Sequence, residues 1–232
     1  MAFADLISDI PPHACETASG RYVDVVTPDP TTIFIDDIAW ALSRQARFAG
    51  HTLSPIVWSV GQHSLFVEYL MVLVMDPNGI QLHLSLTEWL ARRGMVKDYE
   101  EGNFNKIRAL VGGLIHDSTE AYLIDLPSPV KRHPALRAPY KELEERMHFA
   151  IEAALGLDPL TPLEHELHVW ADMMALQIEA ANLMTSRGRG WSGDYPRMNL
   201  LDIDLMPNVL HWQEVYEAFI TRYDELTGNT NG

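Results

Sequence analysis

An all-α helical bundle with a small extended N-terminal element is the fold that this 232-residue sequence predicts. Apolar residues recur at helical spacing over most of the chain after residue 32. By contrast, residues 21–26 alternate and are rich in β-branched side chains, which is typical of an edge strand or hairpin. The length favours a single domain, in which residues 1–32 form an extended segment and residues 33–232 form the helical part.

The helices are expected in the following order. The first begins near residue 33, and the second follows Ser59, which can cap it while Gln62 reaches back as in a capping box. This second helix ends before the turn-forming residues 76–79. Further helices are expected at about 80–93, 104–121, 139–155, 162–185 and 209–226, with a long loop over 186–208 and a fraying tail.

Charge and cysteine content exclude several classes of protein. The formal net charge is −15, so a broad basic surface for duplex nucleic acid is not expected, and neither is a stable nucleic-acid partner. Cys15 is the single cysteine, so no intrachain disulfide can form, and the sequence shows neither a signal peptide nor a membrane span. These features predict a cytoplasmic protein without a membrane partner.

Four polar residues, at three places in apolar, helix-like runs, indicate a metal site. They form an H…HD…D pattern: His63, His116, Asp117 and Asp172. A mixture of imidazole and carboxylate without thiolate suits one divalent ion such as Mn, Co, Zn, Fe or Ni. Such an ion usually activates water, so the pattern favours a metal-dependent hydrolase.

Other polar residues lie close to this pattern in the sequence. Glu120 follows His116 by four residues, on the same helical face, and Asp125 comes where the chain turns towards Leu126 and Pro127. Asp172 lies in a long apolar run, so its carboxylate is expected to be buried and to need a cation or hydrogen-bond donors. His165 and His168 share its helical face and are candidates of second rank.

Several segments together resemble a known family. They are Ser-Arg-Gln-Ala-Arg-Phe at 43–48, Ser-Val-Gly-Gln-His-Ser at 59–64, His-Asp-Ser-Thr-Glu-Ala at 116–121, Asp-Leu-Pro-Ser-Pro-Val-Lys at 125–131, and Ala-Asp at 171–172. The chain resembles the HD-domain metal-dependent phosphohydrolases over about residues 20–185. More narrowly, it resembles their 5′-deoxynucleotidase-like branch, which includes phage deoxynucleoside triphosphate triphosphohydrolases.

The resemblance implies roles for individual residues. One divalent metal would be bound by four residues: His63, His116, Asp117 and Asp172. Glu120 would be the acid/base or water-orienting carboxylate, and Asp125 a second polar group at the reacting phosphate. Arg47 would bind phosphate, and Phe48 would pack on the sugar and favour a 2′-deoxy substrate.

Three further residues are candidates for substrate binding. Lys131 would neutralise a phosphate oxygen. Arg44 is a candidate for contact with the substrate, with a solvated helix face as the alternative. His51 is a candidate because its loop lies near the arginine segment.

The expected activity is metal-dependent hydrolysis of a small nucleotide, with deoxynucleoside monophosphates as the first choice of substrate. The alternative is a deoxynucleoside triphosphate of the dATP type, for which an additional Mg or Mn ion is expected. A non-catalytic nucleotide sensor and a cyclic-dinucleotide phosphodiesterase are the rival classes. Homo-oligomers are expected from the resemblance, with the apolar helices 80–93 and 209–226 as interface candidates.

Overall fold

A computed structural model describes residues 10–76 and 80–228. Residues 1–9, the turn predicted at 77–79 and the tail at 229–232 lie outside the described residues. The described chain is mainly helical and has one two-stranded sheet, which confirms the all-α bundle with a small extended N-terminal element. The helices are α1 Ile35–Arg44, α2 Val60–Met75, α3 Ile80–Ala91, α4 Val96–Glu100, α5 Lys106–Ile115, α6 Glu120–Leu123, α7 Ser128–Lys131, α8 Pro134–Leu155, α9 Pro162–Leu183 and α10 Trp212–Thr227.

The N-terminal sheet is a hairpin tied to the helical part. Strand β1 (Ala14–Glu16) pairs antiparallel with β2 (Tyr22–Asp24). In the turn between them, the Ser19 backbone N–H and hydroxyl donate to the buried Asp37 carboxylate at 3.0 Å and 2.6 Å. Because Asp37 lies in the first turn of α1, these bonds fix the hairpin on the start of that helix.

Helices α2, α5 and α9 pack against one another at the centre of the fold, and α1 and α10 pack against α2. Helix α2 is apolar on nearly all faces, as expected of a helix surrounded by others, and Phe66, Leu70 and Met71 have almost no exposed surface. The three central helices carry or adjoin the residues of the H…HD…D pattern. Their mutual packing therefore brings those residues into one region.

The helix predicted over 104–121 is wrong after Ile115, where it is not continuous. Helix α5 ends at Ile115, and the chain then makes tight turns: Ser118 N–H donates to the Ile115 carbonyl at 2.8 Å and Glu120 N–H to that of Asp117 at 2.9 Å. Helix α6 starts anew at Glu120. No glycine or proline stands at 116–121 to mark this break, which is why periodicity alone continued the helix.

Other boundaries also differ from expectation. The helix predicted from 139 begins at Pro134, because His133 caps it and the internal Pro139 does not end it. The loop predicted over 186–208 contains a 3₁₀ helix, Leu200–Leu205. Ser59 caps α2 as predicted, but Gln62 does not complete a capping box: its side chain donates to the Asn208 carbonyl at 2.6 Å.

Helix α10 begins at Trp212 and not at 209. Within 10–76 and 80–228, no helix combines the length and the apolar character that crossing a membrane requires.

Candidate metal centre

Four side chains of the H…HD…D pattern meet at one point. The Nε2 atoms of His63 and His116 are 3.2 Å apart, and Asp117 Oδ2 lies 3.6 Å from the first and 3.3 Å from the second. Asp172 Oδ1 lies 3.1 Å from His63 Nε2 and 3.9 Å from His116 Nε2. The three separations among His63, His116 and Asp117 are close to the roughly 3.3 Å that would lie between two ligand atoms of a tetrahedral ion with bonds of about 2.0–2.1 Å. The His63, His116 and Asp117 group could hold a metal ion.

Each ligand candidate comes from a different structural position. His63 lies in the first turn of α2, whose start is fixed by Ser59 Oγ accepting from Gln62 N–H at 3.1 Å. His116 caps the C-terminus of α5 and Asp117 follows in the turn, so the two neighbours reach one point at a helix end. Asp172 lies in the middle of α9. Its side chain is 25% exposed, so the carboxylate that was expected to be buried is only partly buried.

Both histidines are held by hydrogen bonds on the ring nitrogen that faces away from the cluster. His116 Nδ1 lies 2.8 Å from the Gly113 carbonyl, and His63 Nδ1 lies 2.6 Å from Glu179 Oε1. An acceptor at Nδ1 keeps the proton there and leaves Nε2 free to bind a cation. Sequence reasoning missed Glu179. The available signal was its position seven residues after Asp172, two turns along the same face of α9.

Arg47 is placed beside the cluster by a short backbone pairing. Val60 N–H donates to the Gln45 carbonyl and Arg47 N–H to the Trp58 carbonyl, both at 2.9 Å, around an isolated antiparallel bridge. The Arg47 side chain then donates from Nε to Glu179 Oε2 at 3.1 Å and from Nη1 to Asp117 Oδ2 at 3.3 Å. The terminal nitrogens of Arg47, which is predicted to bind phosphate, thus lie near the carboxylates of Asp117 and Asp172, the candidate metal ligands.

Charges compensate one another in the cluster. Burial and the charge of Arg47 lower the pKa of His63, but Glu179 and Asp172 outweigh both and raise it to about 9. Burial raises the pKa of Asp117, whereas His116, His63 and Arg47 bring it well below its usual range. Without a bound ion, the positive charges of the protonated histidines and of Arg47 therefore balance the ionised carboxylates. A bound cation could replace the protons on the histidines.

Glu120 lies beside this cluster and is only 5% exposed. Burial and the negative charges of Asp117 and Asp125 raise its pKa to about 8, although the positive charges of Lys131 and Arg47 act to lower it. Lys131 Nζ donates to Glu120 Oε1 and to Glu144 Oε1, at 3.1 Å in both cases. A carboxyl group with this pKa can give up or accept a proton near neutral pH.

Asp125 follows Ile124, a β-branched residue with φ 65° and ψ 149°. This conformation is rare and strained for isoleucine, and it redirects the chain after α6. The Gln45 amide, oriented by its hydrogen bonds, accepts from Asp125 N–H at 2.8 Å and donates to the Glu120 carbonyl at 3.2 Å. Burial raises the pKa of Asp125, which the nearby charge of Arg47 lowers in part.

The remaining substrate-binding candidates lie in different surroundings. Phe48 has a left-handed backbone, φ 55° and ψ 29°, and its ring centroid lies 6.1 Å from that of Trp191 in the loop after α9. Arg44 is exposed, and its guanidinium lies over the rings of Trp40 and Trp212, 5.3 Å and 4.7 Å from their centroids. His51 is exposed, and its backbone N–H donates to the Phe48 carbonyl at 3.0 Å.

A cavity of about 900 Å³ borders the cluster at His116, between α5, α8 and α9. The second-rank candidates His165 and His168 line it. The His168 ring centroid is 6.1 Å from that of His116 and 4.7 Å from that of His165. Burial and the neighbouring histidines lower the pKa of His168 to about 3, so its ring is neutral near pH 7.

Comparison with known proteins places the chain in a family. YfdR, an uncharacterized protein of Escherichia coli (strain K12), is 30% identical over 218 residues, which span 91% of this chain and 94% of YfdR. The chain belongs to the same family as YfdR. An uncharacterized protein of Rhodobacter capsulatus is 29% identical over 166 residues, which span 71% of this chain and 70% of that protein. No family model matches the chain.

The similarity to YfdR extends over most of both chains and is not confined to one motif. Neither relative carries a name that states an activity.

Proposed function

We propose that the protein is a divalent-metal-dependent phosphohydrolase that acts on deoxynucleotides, with deoxynucleoside monophosphates as the first candidate substrate. The observation that carries the proposal is the convergence of His63 Nε2, His116 Nε2 and Asp117 Oδ2, with Asp172 Oδ1 beside them. The resemblance to the HD-domain phosphohydrolases, carried by these residues with Glu120 and Asp125, supplies the reaction class.

The donor set fits a borderline transition ion and not a purely oxygen-seeking one, since imidazole nitrogens and carboxylate oxygens are combined. When bound, such an ion supplies Lewis acidity, which lowers the pKa of water and withdraws charge from a phosphoryl oxygen. Mn, Co, Zn, Fe and Ni all suit this donor set.

The chain's own residues supply the rest of the proposed chemistry. Glu120, whose pKa is raised to about 8, carries a proton near neutral pH and can donate it to the leaving oxygen. The Arg47 guanidinium presents Nη1 and Nη2 at the cluster, where they can bind phosphate oxygens as a rigid fork. Asp125 provides a second carboxyl group, close enough to Arg47 and Asp117 for their charges to shift its pKa.

Local positive charge is needed because the whole chain repels anions. With a formal net charge of −15, long-range electrostatics disfavour a nucleotide. Arg47 and Lys131 lie where they can offset this at short range, as a bound cation would. Phe48, next to Arg47 in the sequence, is proposed to pack on the deoxyribose and to leave no partner for a 2′-hydroxyl.

The test is phosphate release from a panel of deoxynucleoside and ribonucleoside monophosphates and triphosphates, with each candidate metal added to chelator-treated protein. Product chromatography separates orthophosphate from tripolyphosphate and so distinguishes the monophosphate from the triphosphate reaction. We expect metal-dependent turnover of deoxynucleoside monophosphates that Asp117→Asn abolishes together with metal binding.

The matched control is Asp194→Asn. Asp194 forms ion pairs with Arg92 and Arg93 at 2.7 Å and 3.0 Å on the exposed surface, so its loss removes a paired carboxylate outside the cluster. Metal binding without turnover of any nucleotide would favour the sensor alternative. Full activity and one bound metal in Asp117→Asn would overturn the ligand assignment.

A further inference from the structure

Glu179 links two residues of the candidate site that come from different elements. Its Oε1 lies 2.6 Å from His63 Nδ1 and its Oε2 lies 3.1 Å from Arg47 Nε. The Glu179 side chain has no exposed surface. Both oxygens of one fully buried carboxylate are thus used on a ligand candidate and on the arginine beside it.

An ionised carboxylate can only accept hydrogen bonds. His63 must therefore carry a proton on Nδ1, which leaves Nε2 as the atom that faces His116, Asp117 and Asp172. Arg47 must donate from Nε, which directs Nη1 and Nη2 away from Glu179 and towards Asp117 and Asp172. One carboxylate thus sets the tautomer of the histidine and the direction of the guanidinium.

We propose that Glu179 is a positioning residue that orients His63 Nε2 towards the metal and aims the Arg47 fork at the substrate phosphate. This inference rests on the proposed metal-dependent phosphohydrolase function. Glu179 and Asp172 are two turns apart on α9, so the same helix supplies a ligand candidate and the group that orients another ligand.

A glutamine cannot replace Glu179 in this role, although it has nearly the same shape. Its single carbonyl oxygen can accept from either His63 Nδ1–H or Arg47 Nε–H, and its NH₂ group then faces the other donor. If the NH₂ group faces His63, it favours a proton on Nε2, where the metal would bind. Glu179→Gln therefore separates the acceptor character of the residue from its volume.

The alternative role for Glu179 is purely structural: a buried ion pair that only stabilises the fold. The chain offers a matched control for it in Glu164, which lies on the same helix, is also fully buried, and accepts from Arg108 Nε at 2.7 Å and Nη2 at 2.9 Å. Glu164 has no hydrogen bond with the residues of the cluster in the part of the chain that the structure describes. Glu164→Gln should therefore lower stability without changing the site.

The first experiment is NMR of full-length, metal-free protein. A His63 Nδ1 proton held at 2.6 Å from a carboxylate should give a downfield, exchange-protected resonance that His63→Gln removes. We expect Glu179→Gln to lose this resonance or to move it upfield, since an amide oxygen is a weaker acceptor than a carboxylate, and Glu164→Gln to keep it unchanged. If the resonance keeps its wild-type chemical shift in Glu179→Gln, the Glu179 carboxylate does not hold His63 and the inference is overturned.

The second experiment measures metal affinity and kinetics. Glu179→Gln should bind the metal about 10–100-fold more weakly, as is usual when a residue that orients a metal ligand is lost. At saturating metal it should also show a raised KM. In the double variant with Arg47→Lys, we expect the KM to equal that of Arg47→Lys alone, since Glu179 acts on substrate through Arg47.

These measurements distinguish the two proposals. Wild-type protein that binds no metal and hydrolyses no nucleotide would refute the proposed function, and the NMR resonance would still decide whether Glu179 holds His63. Wild-type protein that binds metal and turns over substrate, with Glu179→Gln unchanged in affinity and KM, would refute the positioning role alone. A loss of thermal stability equal in Glu179→Gln and Glu164→Gln, with no other difference between them, would also refute it.

Discussion

Lys131 Nζ lies 3.1 Å from Glu120 Oε1, while the other carboxylate oxygen of Glu120, Oε2, is buried and has no hydrogen-bond partner among the described residues. One oxygen of the carboxyl group is therefore fixed in place, and the other is buried without a hydrogen-bond partner among the described residues. This arrangement suits an acid that must be held still while it transfers a proton.

Glu120→Gln keeps the shape of this side chain but removes the transferable proton. We expect kcat to fall by about 10²–10⁴-fold, the usual size of general acid–base assistance, with metal content unchanged. Steady-state kinetics and metal analysis of the purified variant check this. The control is Glu144→Gln, which removes the other carboxylate that accepts from Lys131. Equal losses in both variants would contradict a specific role for Glu120.

Stability of the metal-free protein should depend on pH through Glu120. Because burial and nearby carboxylates raise its pKa from 4.5 to about 8, the folded state binds a proton that the unfolded state has released in this window. The free energy of unfolding should therefore fall as pH rises through the window, by up to about 1.4 kcal/mol per pH unit. Urea denaturation in the presence of a chelator measures it.

In the same titration, Glu120→Gln should lose the contribution of Glu120 to this pH dependence, while the contribution of His63, whose pKa is raised to about 9, remains. The variant should be more stable than the wild type at the alkaline end. Glu88→Gln, at an exposed ion pair with Arg197, should keep the wild-type profile. A wild-type profile for Glu120→Gln as well would show that Glu120 ionises normally.

Metal binding should release protons. Below a pKa of about 9, His63 carries a proton that must leave before Nε2 can bind a cation, so affinity should rise by about tenfold per pH unit for each proton displaced. Titration calorimetry near neutral pH, in two buffers of different ionisation enthalpy, gives the number of protons released. The same heat in both buffers would mean that His63 is already neutral in the metal-free protein.

Gly113→Ala should disturb both the packing and the site. A Cβ at this position would collide with Met71, which has no exposed surface, and the Gly113 carbonyl accepts from His116 Nδ1. We expect a loss of about 1–3 kcal/mol in the free energy of unfolding, typical of overpacking, and weaker metal binding. Thermal or urea denaturation and metal titration measure both effects.

The neighbouring Gly112→Ala serves as the control for that variant. A Cβ there meets only the end of the Leu160 side chain, which is half-buried at the cavity and can move aside. The smaller effect is expected in Gly112→Ala, and the reverse order would mean that Met71 repacks easily.

Sequence reasoning reached the fold class and the proximity of His63, His116, Asp117 and Asp172, because helical periodicity and residue chemistry are local properties. It missed the break after Ile115, since Asp117, Ser118 and Thr119 are compatible with a helix and no glycine or proline marks the turn that the backbone hydrogen bonds form there. The roles in catalysis and substrate binding stay predictions.

Glu179 shows a different limit. Its spacing from Asp172 was visible in the sequence, but its partners His63 and Arg47 are 116 and 132 residues away. A glutamate among Ile178, Ala180 and Ala181 indicates burial, and nothing in the local sequence states which donors satisfy it. The pairing of residues 45–47 with 58–60, which places Arg47, is likewise a contact between two loop segments without a sequence signature.

Asp172 and Glu179 lie on the same helix, α9, and therefore move together. A rotation or translation of α9 would move Asp172, a ligand candidate, together with Glu179, which contacts both His63 and Arg47. The candidate metal site and Arg47 therefore both depend on the position of one helix, and a shift of this helix would change both together.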